Sequence, residues 1–448
     1  MRKVLLGGAA LVLLVALAGA GGFALLARRL NTAEFRQTVL SQAKAAVGAE
    51  VSVTQMDVSL LSGVTLKGIR IENPAPFAGS LLTAERFVLR YRLLPLLAGR
   101  VEVERLALER PALALAMDAK GIFNYEKLGG SSRRTPPSAT SSGAGSSLRI
   151  VLKQLGVAQG SIVMTDHAGA RLLSVEGADF RSAFELAGGT ARGSGTATVA
   201  TVDLAGLLFV RTLRSPLEMS KDTARLAPIR GRVAGGEATG DVTVRLKDGF
   251  RYVANLEVKG ADVKTLLAEA KATAGASGTL RAKATFEGRG GMATMKGRGE
   301  GTVDRCRVEH SATLALLADV LKVPELANPD FEECRVEFVQ SGSHVTTPVV
   351  SLKGQALRLT GRGSMNLDTA GLDYDLRLAL APKLLAKITR PELRSAFQDA
   401  GDGFATIDFR LYGTTLAPRT DLLARVGKGA ATAAVKSSLD RFFKKKQP

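Results

Sequence analysis

Leu372-Asp373-Tyr374-Asp375-Leu376-Arg377-Leu378-Ala379-Leu380 sets Leu372, Tyr374, Leu376, Leu378 and Leu380 at every second position, with two aspartates and an arginine between them. Successive side chains of a β-strand point to opposite faces, so this stretch reads as a strand with one apolar and one charged face. The same alternation returns upstream in Val242, Val244 and Leu246, in Tyr252, Ala254, Leu256 and Val258, and in Leu280, Ala282, Ala284 and Phe286. It returns downstream in Ile407, Phe409 and Leu411. Repeated strands with a single apolar face imply a long antiparallel sheet. Helical periodicity interrupts it at Ala261–Ala272, at Ala312–Leu321, where Leu314, Leu316, Leu317 and Leu321 form an apolar side, and between Pro382 and Phe397, with a break near Pro391.

The start of the chain is different. Met1-Arg2-Lys3 precedes an uncharged run from Val4 to Ala27, closed by Arg28 and Arg29. At 1.5 Å per residue a helix over this run crosses a hydrocarbon layer of about 30 Å. A cleaved signal peptide ending at Ala16-Leu17-Ala18 is the competing reading, but the apolar run continues to Ala27, which favours a retained anchor. Arg28 and Arg29 then sit at headgroup level. Phe35, Val39, Ala43 and Val47 follow at a spacing of four, a helix capped by Asn31 and ended by Gly48.

Five segments result: an anchor at 1–30, an N-terminal α/β module at 31–128, a Ser-, Gly- and Pro-rich flexible linker at 129–147, a β-groove domain at 148–419, and an amphipathic basic helix at 420–448. The linker is too poor in apolar residues to offset its ordering entropy. The tail, ending Lys444-Lys445-Lys446, either docks back on the sheet or lies on a membrane, docking being the simpler reading. The expected fold class is mainly β: an N-terminal transmembrane helix followed by an elongated, curled antiparallel β-sheet groove with short helices.

Composition narrows the function. The 448 residues hold 61 Lys and Arg against 42 Asp and Glu, a net charge of +19, with 48 glycines, three histidines and no tryptophan. The basic residues are spread singly over strands, without zinc-finger spacing or a basic recognition helix, so anionic headgroups and not nucleic acid are the expected partner. His310 stands near Cys306 but lacks a set of ligands for zinc, so no metal or cofactor is expected. No Gly-x-Ser-x-Gly elbow accompanies His167 or His344. Gly188 to Gly195 lacks the Lys-Ser or Lys-Thr ending of a phosphate loop and reads as a turn. No catalytic residue is assigned. Cys306 and Cys334 fit either one disulfide in an oxidising compartment or a buried free pair.

Leu60-Leu61-Ser62-Gly63-Val64-Thr65-Leu66-Lys67-Gly68-Ile69-Arg70-Ile71-Glu72-Asn73-Pro74, Val101 to Pro111 and Asp118 to Tyr125, in that order behind the apolar start, resemble the AsmA-like family of bacterial envelope proteins. Gly278 to Gly301, Leu359 to Leu367, and Phe409 to Thr414 with Pro418 extend the resemblance. It implies a single-pass inner-membrane protein whose large domain is a periplasmic β-groove, similar to larger bridge-like proteins that help move phospholipid towards the outer membrane. This chain is short beside the largest of them, which leaves regulatory, assembly and partial-conduit roles open.

A trough with an apolar inner face would hold acyl chains by area, and Leu256, Phe286, Leu376 and Phe409 are its candidate lipid contacts. Leu376 and Phe409 equally suit the inward positions any sheet must fill. The alternative function is a non-transporting structural or assembly factor of the cell envelope with the apolar face packed, its basic exterior contacting anionic glycolipid or an envelope protein partner, an outer-membrane protein assembly component.

Overall fold

The computed structural model describes residues 32–59, 63–92, 101–128, 150–187, 190–245, 251–272, 275–289, 294–309, 311–415 and 417–425. The anchor run with Arg28 and Arg29, the linker at 129–147, His310 and the tail beyond 425 lie outside them. No described helix is long and apolar enough to cross a membrane. The contacts divide the chain into two compact units, residues 1–232 with 239–252, and residues 233–238 with 253–448. This boundary falls inside the 148–419 segment, because the strands after 150 pair back onto the N-terminal module.

In the first unit, helix α1 (Ala33–Val47) starts at Thr32, whose hydroxyl accepts from the Phe35 N–H at 3.3 Å, one residue later than the expected Asn31 cap. It ends at Gly48, where φ is 73° and the N–H donates to Lys44 O. Only glycine takes this left-handed turn without strain. Arg36 donates to the carbonyls of Val53 and Thr54, tying α1 to the edge of the sheet.

The strands are β1 (Val51–Ser52), β2 (Gln55–Ser59), β3 (Gly63–Glu72), β4 (Ser80–Arg92), β5 (Val101–Glu109), β6 (Ala112–Ala116), β7 (Ile150–Thr165), β8 (Arg171–Ala187), β9 (Thr190–Leu204), β10 (Leu208–Lys221), β11 (Thr223–Val233) and β12 (Gly236–Arg245). β1 and β2 line one side of β3, and β4 pairs with β3, β5 and β6. β7 runs parallel to β5 and β6, a departure from the expected all-antiparallel sheet. From β7 to β11 the neighbours are antiparallel. Parallel neighbours cannot be joined by a tight turn, in keeping with the long sequence interval between β6 and β7. Leu40 and Val47 of α1 close two small cores with Val64, Leu66, Phe87 and Leu89, and with Leu81 and Leu128.

The second unit adds β13 (Arg251–Asp262), α2 (Val263–Glu269), β14 (Gly275–Arg289), β15 (Lys296–Glu309), α3 (Ala312–Leu321), β16 (Asp330–Ser341), β17 (His344–Lys353), β18 (Leu357–Asn366), β19 (Gly371–Leu380), α4 (Pro382–Leu385), α5 (Pro391–Ser395), β20 (Gln398–Asp399), β21 (Ala405–Thr414) and β22 (Pro418–Thr420). β14 to β19 and then β21 form one antiparallel run, with β20 and β22 on the outer side of β21. Leu314, Leu317 and Leu321 of α3, with Leu326, Ile388, Leu393, Phe397 and Leu422, cover one corner of this sheet. The burial of Leu422 docks the first residues of the C-terminal segment on that core.

Cys306 of β15 and Cys334 of β16 form a disulfide inside the covered corner, closing a loop of sequence separation 28 that contains α3. A loop of this length gives about 3–4 kcal/mol of stabilisation in the chain-entropy account. On the outer face the register sets Arg377 against Asp408, while Arg410, opposite Asp375, reaches diagonally to Asp373, each bonded pair joined by two hydrogen bonds of 2.6–2.8 Å. The guanidinium beside each aspartate holds its carboxyl below the ordinary range.

Replacing Cys306 and Cys334 together by Ala is expected to lower the denaturant midpoint of the second unit by the equivalent of about 3 kcal/mol. Reductant should do the same to the unmodified chain, and an unchanged midpoint in both would contradict the staple. Because the folded carboxyl values are depressed, the contribution of Asp373 and Asp408 is present above about pH 4 and lost as pH falls through their lower folded values. Arg377→Gln/Arg410→Gln should therefore be less stable than the parent at pH 7, with the difference shrinking on acid titration below about pH 4; a gap that stays constant as the carboxylates protonate would exclude the ladder.

Candidate functional site

Cross-strand register in the second unit arranges the inner side chains in rows. One row runs Phe286, Gly297, Gln340, Val345, Met365, Leu372, Gly413 from β14 to β21. Another runs Ala282, Gly301, Val336, Val350, Gly361, Leu376, Phe409. A third, Leu280, Val303, Cys334, Leu352, Leu359, Leu378, Ile407, passes into the corner beneath the helices.

The four sequence candidates fall in different places along these rows. Leu376 and Phe409 are 6% and 1% exposed and belong to the closed core. Phe286 is half-buried in the first row. Asn255 bonds Thr285 at 3.0 Å, and Glu257 pairs with Lys283 at 3.4 Å, so these alternate residues of β13 share the charged face of β14. Leu256 between them therefore lies on the apolar face, again half-buried.

Two sets of alternating glycines had no place in the sequence reading of this face. Gly297, Gly299 and Gly301 occupy its positions on β15, and Gly361 and Gly363 those on β18. Neighbouring large side chains lie down over them. A Cβ at Gly297 would stand 2.6 Å from the Phe286 ring, one at Gly299 2.7 Å from the Phe338 ring, and one at Gly363 2.5 Å from the Tyr374 ring. The Phe286 and Phe338 centroids are 6.3 Å apart. Rings flattened over glycine pave this part of the sheet, the arrangement known as aromatic rescue. The signal was present as Lys296-Gly297-Arg298-Gly299-Glu300-Gly301, glycine alternating with charge at the period of a strand.

The first unit repeats the device. Phe184 lies opposite Gly193, and a Cβ there would stand 2.3 Å from its ring. Phe180 stacks on Phe184 at 6.4 Å. Gly193 and Gly195 thus belong to β9, which corrects their reading as a turn: each spares room for the bulk of β8. Leu155, Ser182, Gly195 and Leu217 form the adjoining row, in which the buried Ser182 hydroxyl has no hydrogen-bond partner.

Other polar groups on the inner face are satisfied locally. Thr347 Oγ1 and the Tyr374 hydroxyl are 3.0 Å apart, and Gln340 Nε2 donates to Gly342 O at 3.0 Å. His167 lies in a turn where the Asp166 carboxylate accepts from the N–H groups of Ala168 and Ala170, and His344 opens β17 on an exposed position. Among the described residues no group of three or more His, Cys, Asp or Glu is placed to hold a metal ion. The arrangement offers hydrocarbon contact over an area, with charge on the reverse face.

A model of the AsmA family matches residues 1–224 of the 448, while no curated protein and no solved structure matches the chain. The matched half runs through α1 and every strand up to β10, including the first phenylalanine-over-glycine floor, and by that match the chain belongs to the AsmA family.

Proposed function

We propose that this AsmA-family protein of the bacterial envelope binds phospholipid acyl chains along the apolar faces of its sheets and contributes in this way to outer-membrane biogenesis. The observation that carries the reading is the part of each face beyond the covering helices, where Phe286, Phe338, Phe180 and Phe184 are half-buried. A core residue would be covered, and a residue of a solvated face would be polar. Each methylene taken from water contributes roughly 0.8 kcal/mol, so ten methylenes against such a floor give on the order of 8 kcal/mol before ordering costs. Binding of this kind needs area and no catalytic group, in keeping with the non-enzymatic character of the family.

Of the four sequence candidates, Leu256 and Phe286 serve as acyl contacts, while Leu376 and Phe409 anchor the covered corner that bounds the floor. The run Val4–Ala27 is the proposed inner-membrane anchor, with Arg28 and Arg29 among headgroups and the large domain in the periplasm. The disulfide agrees with an oxidising compartment. The covered corner supports a second reading, a scaffold of the envelope whose apolar surface is all packed against protein.

Native mass spectrometry with lipid extraction on the full chain separates the two. Phospholipid should accompany the protein, and Phe286→Asp/Phe338→Asp should release it while the fold survives. Val339→Asp, on the charged face at a position 52% exposed, should leave it bound. Protein that carries no phospholipid, or that keeps it in the Phe286/Phe338 variant, would leave the scaffold reading in its place.

A further inference from the structure

The last described residues end beside the apolar floor of the second unit. Leu422 is fully buried in the cluster against which Leu372 and Tyr374, two residues of that floor, also pack. Asp421 opens a helical turn there: its carbonyl accepts from the Arg425 N–H at 3.0 Å, and its carboxylate accepts from Arg425 Nε at 2.6 Å. Leu423, within this turn, is 50% exposed. The chain therefore enters residue 426 at the margin of the covered corner, with an apolar side chain still uncovered.

The sequence that follows has the pattern of a surface helix. Gly427 and Gly429 weaken any helix running on from Arg425 and leave room for a change of direction. After them Ala431, Val435, Leu439 and Phe442 recur at helical spacing with Phe443 beside them, while Lys436, Asp440, Arg441 and Lys444 take the other side. As a helix, residues 430–443 would be about 21 Å long. The floor from Phe286 on β14 to Tyr374 on β19 is about 24 Å wide at the spacing of neighbouring strands. It has apolar area to offer: Phe286, Phe338 and Val345 are half-buried, and Val336, on the inner row between Gly301 and Val350, is 38% exposed. A segment tethered a few residues from that floor meets it at an effective concentration on the order of millimolar, an advantage no free partner has.

We propose that residues 430–443 form an amphipathic helix that docks on the floor of the second unit and is displaced when an acyl chain binds there. The displacement rests on the acyl-binding reading above; the docking does not. The segment shields Phe286 and Phe338 from water while the floor carries no lipid. An arriving acyl chain has to outcompete it, so the same apolar stripe sets the lipid concentration at which the floor loads.

The test uses the full chain, held in amphipol without phospholipid, with a photoreactive phenylalanine analogue at position 439. Irradiation should join position 439 to residues of β16–β18 in the same chain, and added phospholipid should lower the yield several-fold. Val435→Asp/Phe442→Asp should lower it by at least about tenfold, since two apolar side chains leave the contact. Asp440→Asn/Lys444→Gln, on the other side of the helix, should leave it unchanged. In native mass spectrometry a chain ended at Arg425, which keeps Leu422 and its core, should take up phospholipid at a lower concentration than the full chain. Adducts from position 439 only to amphipol or to a second copy of the chain would overturn the docking. Phospholipid bound to the chain without an adduct on the floor would overturn the docking alone and leave the acyl-binding reading standing. An adduct on the floor that phospholipid never displaces, in a protein that takes up none with or without residues 426–448, would overturn that reading and the displacement with it.

Discussion

Register between neighbouring strands carries everything else in this molecule. Gly361 opposite Leu376 and Arg362 opposite Asp375 are consecutive steps of one ladder, and they send hydrocarbon to one side and charge to the other. A slip of one residue would exchange the faces along the whole strand. The glycines fix the ladder more firmly than their size suggests. Where Phe286, Phe338 and Tyr374 lie over Gly297, Gly299 and Gly363, shifting β15 or β18 by one position would bring the side chain of an arginine or a glutamate beneath a ring.

The covered corner of the second unit shows what a closed version of the same surface looks like. There the rows end beneath α3 and the segment around Ile388 and Leu393, and Leu378, Leu380 and Phe409 are almost fully buried. The disulfide ties β15 to β16 at the base of the excursion that carries α3, so the lid is joined covalently to its floor. Away from that corner the same strands continue with side chains that are only half-buried. Half-buried floor and closed core thus share strands.

Much of this was legible in the sequence for a simple reason: a strand has a period of two, and it shows. The extents of β19 and α3 and the helix break at Pro391 follow from alternation, from apolar spacing and from proline. The parallel step from β5 and β6 to β7 was not legible, since strand direction depends on a crossover whose path no local pattern specifies. Nor did alternation reveal which parts of the apolar face are covered. Leu376 and Phe286 occupy equivalent positions in their strands, and only the distant helices separate the buried residue from the half-open one. The glycine floor was visible as Gly297-x-Gly299-x-Gly301, but glycine is more readily read as a turn than as room left for a neighbour's ring.

Phe338 and Val339 are consecutive residues of β16 that face opposite ways, and they offer the most direct measurement. A photoreactive phenylalanine analogue placed at either position in the full chain, irradiated in living cells, reports what touches each face. A phospholipid adduct is expected from position 338 and none from 339. Adducts of equal yield from both, or protein adducts alone from 338, would exclude acyl binding on that face.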